Sequence, residues 1–351
     1  MSKCIEGLIE DGVGFVADVL ISVICPVHNA ERYVADCVAS CAGQTLGDLE
    51  LIFVDDGSTD GSLGLLRKLA KDEPRLIVLP QENAGAAEAR NRGLSAARGE
   101  FVFFIDSDDY IPNPEALERL YDAAKRHRVE IAGGSLCVDR NGTLEFDSLH
   151  GKELDSFFRE EVVEYADYQY DYDYTRYIYS LGLIRRENLS FPSREQFEDP
   201  PFFVRAMLAA GRFATVPITV YAYRYGHQNR TLSEKALLDR LEGIIELLEL
   251  SSELRYAKLH LHVLRQLEGE STYAFLSNAR NGRVMNRLME ANVAVDRALL
   301  REIDSSIDDD YVVEPLSMMF GGFAKCFRLV DLPPARALAR ALRAARRGKD
   351  A

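Results

Sequence analysis

An α/β fold, with a doubly wound and mostly parallel sheet followed by a C-terminal helical extension, is what this sequence predicts on three observations. Four short apolar runs in the first half alternate with helix-patterned segments, the order that builds parallel sheets. Those runs are continuously apolar rather than alternating, as expected of strands covered on both faces. Beyond residue 232 the apolar positions take helical spacing, at Leu237, Leu238, Leu241, Ile244, Ile245 and Leu248.

The first strand is expected over Val19 to Cys25, β-branched and closed by Pro26. A helix follows from Ala30 to Ala42, with Val34, Cys37, Val38 and Cys41 on one face. Leu49 to Val54 reads as the second strand, ending in Asp55-Asp56-Gly57-Ser58-Thr59-Asp60-Gly61 before a helix from Ser62 to Lys71. A third strand from Arg75 to Pro80 precedes a Gly/Ala-rich helix from Ala84 to Ala97, and Phe101 to Ile105 is the fourth. Past Pro112 the pattern predicts a helix over Pro114 to Arg128, a strand over Val129 to Val138 and a hairpin turn at Asn141-Gly142. In the Tyr/Asp-rich stretch of residues 157–179, Tyr168, Tyr170, Tyr172 and Tyr174 fall at period two. The chain thus divides into an N-terminal extension (1–18), an α/β domain (19–231, with halves 19–112 and 113–231) and a helical region (232–351) carrying a basic tail (335–349).

Composition narrows the function. A formal net charge of −14 over 351 residues argues against a nucleic-acid binder, which must neutralise phosphates with Lys and Arg. Cys4, Cys25, Cys37, Cys41, Cys137 and Cys326 show no CxxC pairing, so buried free thiols in a reducing cytoplasm are expected. Glu6, Glu10, Asp11 and Asp18 interrupt the start of the chain, and nowhere do eighteen apolar residues run together. Neither a secretory signal nor a transmembrane helix is expected. The first strand-to-helix turn carries neither GxGxxG nor GxxxxGK[ST], so dinucleotide and P-loop sites have no support.

The strand Phe101-Val-Phe-Phe-Ile ends in Asp106-Ser107-Asp108-Asp109. If strand geometry continues, Asp106 and Asp108 point the same way and Asp109 the other. Two carboxylates that close call for a cation, and all-oxygen ligands suit Mg²⁺ or Mn²⁺. A solvated acidic turn is the plainer alternative. Three further polar strand exits, at Pro26 to Asn29, Asp55 to Ser58 and Gln81 to Asn83, fall at the same sheet edge. Open α/β sheets bind their ligands there.

Taken together, Ile21-Ser-Val-Ile-Cys-Pro-Val-His-Asn-Ala-Glu31, Val54-Asp-Asp-Gly-Ser-Thr-Asp60, Asn83-Ala-Gly85 with Ala89-Arg-Asn-Arg-Gly93, and Phe104-Ile-Asp-Ser-Asp-Asp109 resemble the family 2 glycosyltransferases. Tyr179 to Glu187, Phe191 to Phe203 with its Glu198-Asp199 pair, and Tyr221-Ala-Tyr-Arg224 extend the resemblance to about residue 232. It implies a GT-A fold with a nucleotide-sugar half and an acceptor half. It also implies a nucleoside-diphosphate-sugar donor, a divalent metal and inversion at the anomeric carbon. The acceptor would be a surface glycan, exopolysaccharide or lipid-linked saccharide.

Roles for residues follow from that resemblance. Pro26, Val27, Asn29, Glu31, Asp55, Asp56, Asn83, Arg90, Asp106 and Ser107 would contact the donor, with UDP-sugar expected. Asp55 and Asp56 can accept hydrogen bonds from an imide N–H or a ribose hydroxyl, or can cap the next helix. Arg90, a permanently charged fork, suits a diphosphate. Asp108 and Asp106 would hold Mn²⁺ or Mg²⁺, with His227 a further metal candidate. Asp199 would be the base that takes the acceptor proton, its alternative being an N-cap. His28 stands where the family frequently has Tyr, and Ala87 where it frequently has Ser. The tyrosines between Tyr165 and Tyr179, with Asp167, Asp171 and Asp173, would offer stacking and hydroxyl contacts to acceptor sugars, or simply pack.

A catalytically inactive sugar-nucleotide-binding or scaffold module of the same fold is the alternative reading. Nucleotidyl transfer would want a glycine-rich, lysine-bearing first turn, which Pro26-Val-His-Asn29 lacks. The helical region is expected to serve as a homodimer interface, an acceptor platform or a docking surface. Arg336, Arg340, Arg343 and Arg347 share a face of the tail, read as a solvated helix or a weak anchor to the inner face of an anionic membrane.

Overall fold

The computed structural model describes residues 19–147, 149, 155–226, 232–268, 270–305 and 307–324. The extension 1–18, Cys4, His227, Cys326 and the basic tail lie outside the described residues.

Nine strands form one sheet: β1 Ile21–Val27, β2 Leu49–Asp56, β3 Leu76–Gln81, β4 Phe101–Phe104, β5 Ile131–Arg140, β6 Thr143–Phe146, β7 Glu161–Glu164, β8 Tyr177–Ser180 and β9 Arg212–Arg224. Their order is β3-β2-β1-β4-β8-β5-β9-β7, with β6 hydrogen-bonded to β5. β3, β2, β1 and β4 run parallel; β8 enters antiparallel between β4 and β5, and β9 runs parallel to β5. The first half is therefore the regular parallel part, and the second half mixes directions.

The helices α1 Val34–Ala42, α2 Ser62–Leu69, α3 Ala86–Ala96 and α4 Ala116–His127 return the chain between the early strands. Val23, Phe53 and Phe103 point to the face covered by α1, α2 and α4, while Ile24, Ile52 and Phe104 point to the face covered by α3. Both faces being dry explains the unbroken apolar runs. Asn141 and Gly142 both take positive φ, 55° and 86°, as a two-residue hairpin joining β5 to β6 requires.

The tyrosine-rich stretch is not an exposed ladder. Tyr165–Tyr168 is a short helix, α5, and Tyr165, Tyr170, Tyr174, Tyr177 and Tyr179 are all buried. Tyr165 Oη donates to the Tyr170 carbonyl at 2.9 Å and Tyr179 Oη to the Tyr174 carbonyl at 2.7 Å. Phenols with backbone partners can be sunk into a core. There they pack with Phe104, Phe191 and Phe202, the last two stacked at 4.1 Å. These five rings pack, while Tyr168 and Tyr172 are half-buried.

Helices α6 Leu181–Arg186 and α7 Asp199–Ala210 complete the α/β part. Beyond it come α8 Glu234–Leu254, α9 Ala257–Arg265, α10 Glu270–Ser277, α11 Gly282–Ala294, α12 Arg297–Leu300 and α13 Glu314–Ala324. Their own core, around Leu241, Leu248, Val263 and Leu288, also takes in Phe197 and Val204. The helical region thus braces the segment that presents Asp199. Among the described residues, no helix is long and apolar enough to cross a membrane.

Candidate active site

The carboxyl ends of β1, β2 and β4 open onto a cavity of about 1170 Å³ whose other walls are the β5–β6 hairpin, the end of β9 and residues 195–199. Segments more than a hundred residues apart in sequence meet there. Pro26, Val27, Asn29, Asp56, Arg90, Asp106, Ser107, Asp108 and Asp199 all line it.

Glu31, Asp55 and Asn83, expected as donor contacts, do not line the cavity. Consecutive strand residues point to opposite faces, so when Asp56 faces the cavity Asp55 turns away; it is buried and accepts from the Ser58 N–H at 3.4 Å. Glu31 instead accepts from the Gly61 N–H at 3.0 Å, and its own N–H donates to Asp60 Oδ2 at 3.1 Å, tying the first turn to the start of α2. The Asn83 backbone lies against Gly57, where an added Cβ would come within 2.7 Å and φ is +66°. Only glycine fits that approach.

Asp56 has its own structural duty. Oδ1 accepts from Gln81 Nε2 and the Ala84 N–H, and Oδ2 from the Gly85 N–H, each at 2.8 Å. It clamps the loop that launches α3. His28 is exposed to the cavity, with Nδ1 2.8 Å from the Asp56 carbonyl and Nε2 3.1 Å from Asn29 Nδ2. Asn29 Oδ1 accepts in turn from the Thr59 N–H at 2.8 Å.

The acidic turn divides its carboxylates, though not by strand parity. β4 ends at Phe104, and the Asp109 N–H donates to the Asp106 carbonyl at 3.0 Å, closing a turn. Asp106 and Asp108 line the cavity, whereas Asp109 is buried. Asp109 Oδ2 accepts from Tyr221 Oη at 2.6 Å and Oδ1 from the Arg224 N–H at 2.8 Å, which fastens the turn to β9. Burial, and then the neighbouring Asp108 and Asp106 charges, push its carboxyl well above the usual range.

Arg90 is neither an exposed helix residue nor an empty fork. It is buried, with Nη2 donating to Asp106 Oδ1 at 2.9 Å and Nη1 to Glu198 Oε1 at 2.8 Å. Tyr174 and Phe191 flank the guanidinium, 5.2 and 5.4 Å from its carbon. Both terminal nitrogens are spent on carboxylates, so Arg90 joins the acidic turn to the Glu198-Asp199 segment. Arg90→Met should cost about 3 kcal/mol of stability by chemical denaturation, the low end for breaking a buried pair because Asp106 is a third exposed and can rehydrate. An unchanged denaturation midpoint would contradict the bridging role.

Asp199 opens α7 as its first helical residue, and no side-chain cap bond forms there. The N-cap reading is therefore not the one observed. Desolvation, then the Glu198 charge, raise the Asp199 pKa to about 7, while Arg90 opposes the rise. A carboxyl tuned to that range can accept a proton near neutrality.

Several lining residues escaped the sequence reading. Arg224 donates to the Asp108 carbonyl at 3.4 Å and to Asp36 Oδ2 at 3.0 Å, and Phe197 and Tyr225 bring aromatic surface, beside Tyr174 from the tyrosine-rich stretch already singled out. Tyr221-Ala-Tyr-Arg224 was legible as a strand, but nothing in one strand says which cavity its end will meet. Asp167 and Asp171 line no part of the cavity, Asp171 being buried.

Residues 22–187 match the family model for glycosyl transferase family 2. The chain is 31% identical over 210 residues to the uncharacterized glycosyltransferase EpsJ of Bacillus subtilis (strain 168), covering 58% of this chain and 61% of that protein. It is 30% identical over 219 residues to the poly(ribitol-phosphate) beta-glucosyltransferase of Bacillus spizizenii, covering 58% of this chain and 32% of the relative. The chain thus spans about three-fifths of EpsJ and about a third of the latter. Its fold is similar to that of S. aureus TarS 1-349, crystallised in complex with UDP-GlcNAc, at a TM-score of 0.63 and 24% identity, over 80% of this chain and 82% of that one.

Proposed function

With residues 22–187 forming a family 2 glycosyltransferase domain of the GT-A type, we propose that this protein transfers one sugar, with inversion, from a UDP-sugar to a hydroxyl of a glycan or lipid-linked saccharide. One observation carries the reading: a single cavity holds both the carboxylates of Asp106 and Asp108 and the recessed carboxyl of Asp199, with Arg90 bonded to both segments. A relative that acts on poly(ribitol-phosphate) supports a glycan-type acceptor. The reaction is proposed to run in the cytoplasm, at the membrane's inner face when the acceptor is lipid-linked.

The donor set fits Mg²⁺ or Mn²⁺. Asp106 and Asp108 offer hard oxygen ligands, and Asp106 has only Oδ1 committed to Arg90. Among the described residues no group of three or more His, Cys, Asp or Glu gathers as a metal cage, so an ion held here would have to complete its shell with water and substrate phosphates. When bound, the cation supplies Lewis-acid stabilisation of the departing diphosphate. Arg90 fixes Asp106 on one side and Glu198 on the other, and so sets the spacing between donor and acceptor walls. Asp199 takes the acceptor hydroxyl proton as the new bond forms at the anomeric carbon and the bond to the diphosphate breaks.

Purified protein with Mn²⁺ should release UDP from at least one member of a UDP-sugar panel, and faster when saccharide acceptors are added. Failure to turn over any UDP-, GDP- or dTDP-sugar, despite a thermal shift with the nucleotide, would favour a binding module instead.

A further inference from the structure

We propose that Tyr225 is the platform on which the acceptor's sugar ring stacks, an inference that rests on the glycosyl-transfer reading. Of the tyrosines in residues 165–179 only Tyr174 lines the cavity, and it is almost fully buried. Among the described residues lining the cavity, Tyr225 is the one exposed Tyr or Phe, at 48%; the exposed His28 ring is held at both nitrogens by the Asp56 carbonyl and the Asn29 amide. Tyr174 and Phe197 also line the cavity but are 5% and 6% exposed, and Tyr33 and Tyr223 are only half-buried there.

The ring is held in place from both sequence and space. Its backbone N–H donates to the Asp139 carbonyl at 3.0 Å, prolonging the β5–β9 pairing by one residue. Gly226 follows with φ 98°, a conformation open to glycine. Arg140, the last residue of β5, lays its guanidinium carbon 3.8 Å from the ring centroid, and Glu145 of β6 holds Arg140 Nε at 2.8 Å. The hairpin at Asn141-Gly142 thus supports the ring from behind.

An aromatic ring backed by a cation and open to a polar cavity is suited to the C–H face of a pyranose. The phenol hydroxyl adds a hydrogen-bonding edge for sugar hydroxyls. Asp199 lines the same cavity, so a ring seated on Tyr225 shares the chamber with the proposed base. Tyrosine also loses little conformational freedom on binding, which makes it an effective contact surface.

The test measures direct binding of cello-, malto-, chito- and xylo-oligosaccharides to the UDP-loaded protein by saturation-transfer NMR and calorimetry, alongside transfer kinetics. Tyr225→Ala should weaken binding of the preferred oligosaccharide, and raise its KM, by about tenfold. UDP affinity and acceptor-independent donor hydrolysis should stay unchanged. Tyr225→Phe should retain most of the binding, and Arg140→Ala should give an intermediate loss. Saccharide binding that is lost in Tyr225→Ala supports the platform even if no transfer is detected, a result that counts only against the transferase reading. Binding unchanged in Tyr225→Ala, loss of UDP affinity in parallel, or a wild type that binds no member of the panel overturns it.

Discussion

Asp199→Asn is expected to lower the kcat of sugar transfer by roughly 10²- to 10⁴-fold, the range for removing a general base. UDP affinity should be retained, because Asp199 contributes to the acceptor side. The isosteric amide keeps the start of α7 but cannot accept the acceptor's proton. The pH profile follows from the same environment. Desolvation and Glu198 raise the carboxyl to about pH 7, so below that value the base carries its proton and is idle. Wild-type kcat should therefore climb with pH through about 7 and level off above it. Because the folded-state value is raised, ionised Asp199 costs stability at neutral pH, and the Asn variant should be at least as stable as wild type at pH 8. A thermal melt thus separates lost chemistry from lost folding. Wild-type turnover in Asp199→Asn would remove the residue from the mechanism.

The second large effect is expected at Asp108. Asp108→Asn should reduce Mn²⁺-dependent transfer by roughly 10²-fold or more, the equivalent of the several kcal/mol that a Lewis acid contributes. It should also abolish the part of the UDP-induced thermal shift that depends on Mn²⁺. The structure distinguishes three carboxylates that look alike in sequence. Asp109 has both oxygens engaged by Tyr221 and Arg224 in the interior, and Asp106 shares Oδ1 with Arg90. Asp108 lines the cavity at the phosphate end of the proposed donor site. Charges about 4 Å apart attract with about 1 kcal/mol in water but about 4 kcal/mol at an effective dielectric near 20, so a recessed carboxylate has the larger leverage. A variant that keeps its Mn²⁺-dependent shift would place the metal elsewhere or nowhere.

The strands and their order along the chain were legible because burial on both faces writes itself as unbroken apolar runs. Boundaries moved by a few residues where turns intervene: the helix expected from Ala30 begins at Val34, and the strand expected from Val129 begins at Ile131 and runs to Arg140. The tyrosine stretch left two readings open, a stacking surface or packing, because period-two spacing does not say which face meets solvent. Tyr165 and Tyr179 donate to backbone carbonyls and Tyr168 and Tyr177 bond to each other, which offsets the cost of burying those phenols. Arg90 was legible as charged and near the site, but its two partners, one of them 108 residues away, were not.

By itself the sequence determined the α/β class, the sheet edge at which polar strand exits converge, and the family resemblance. Each of these depends on local pattern and order along the chain. Tertiary structure alone decided that Asp55 faces away while Asp56 faces in, that Asp109 is sealed against β9, that Arg90 spans two walls and that Tyr225 is the most exposed tyrosine of the cavity wall. Those outcomes depend on which distant side chains meet, and on how much water is left between them. A linear pattern encodes neither.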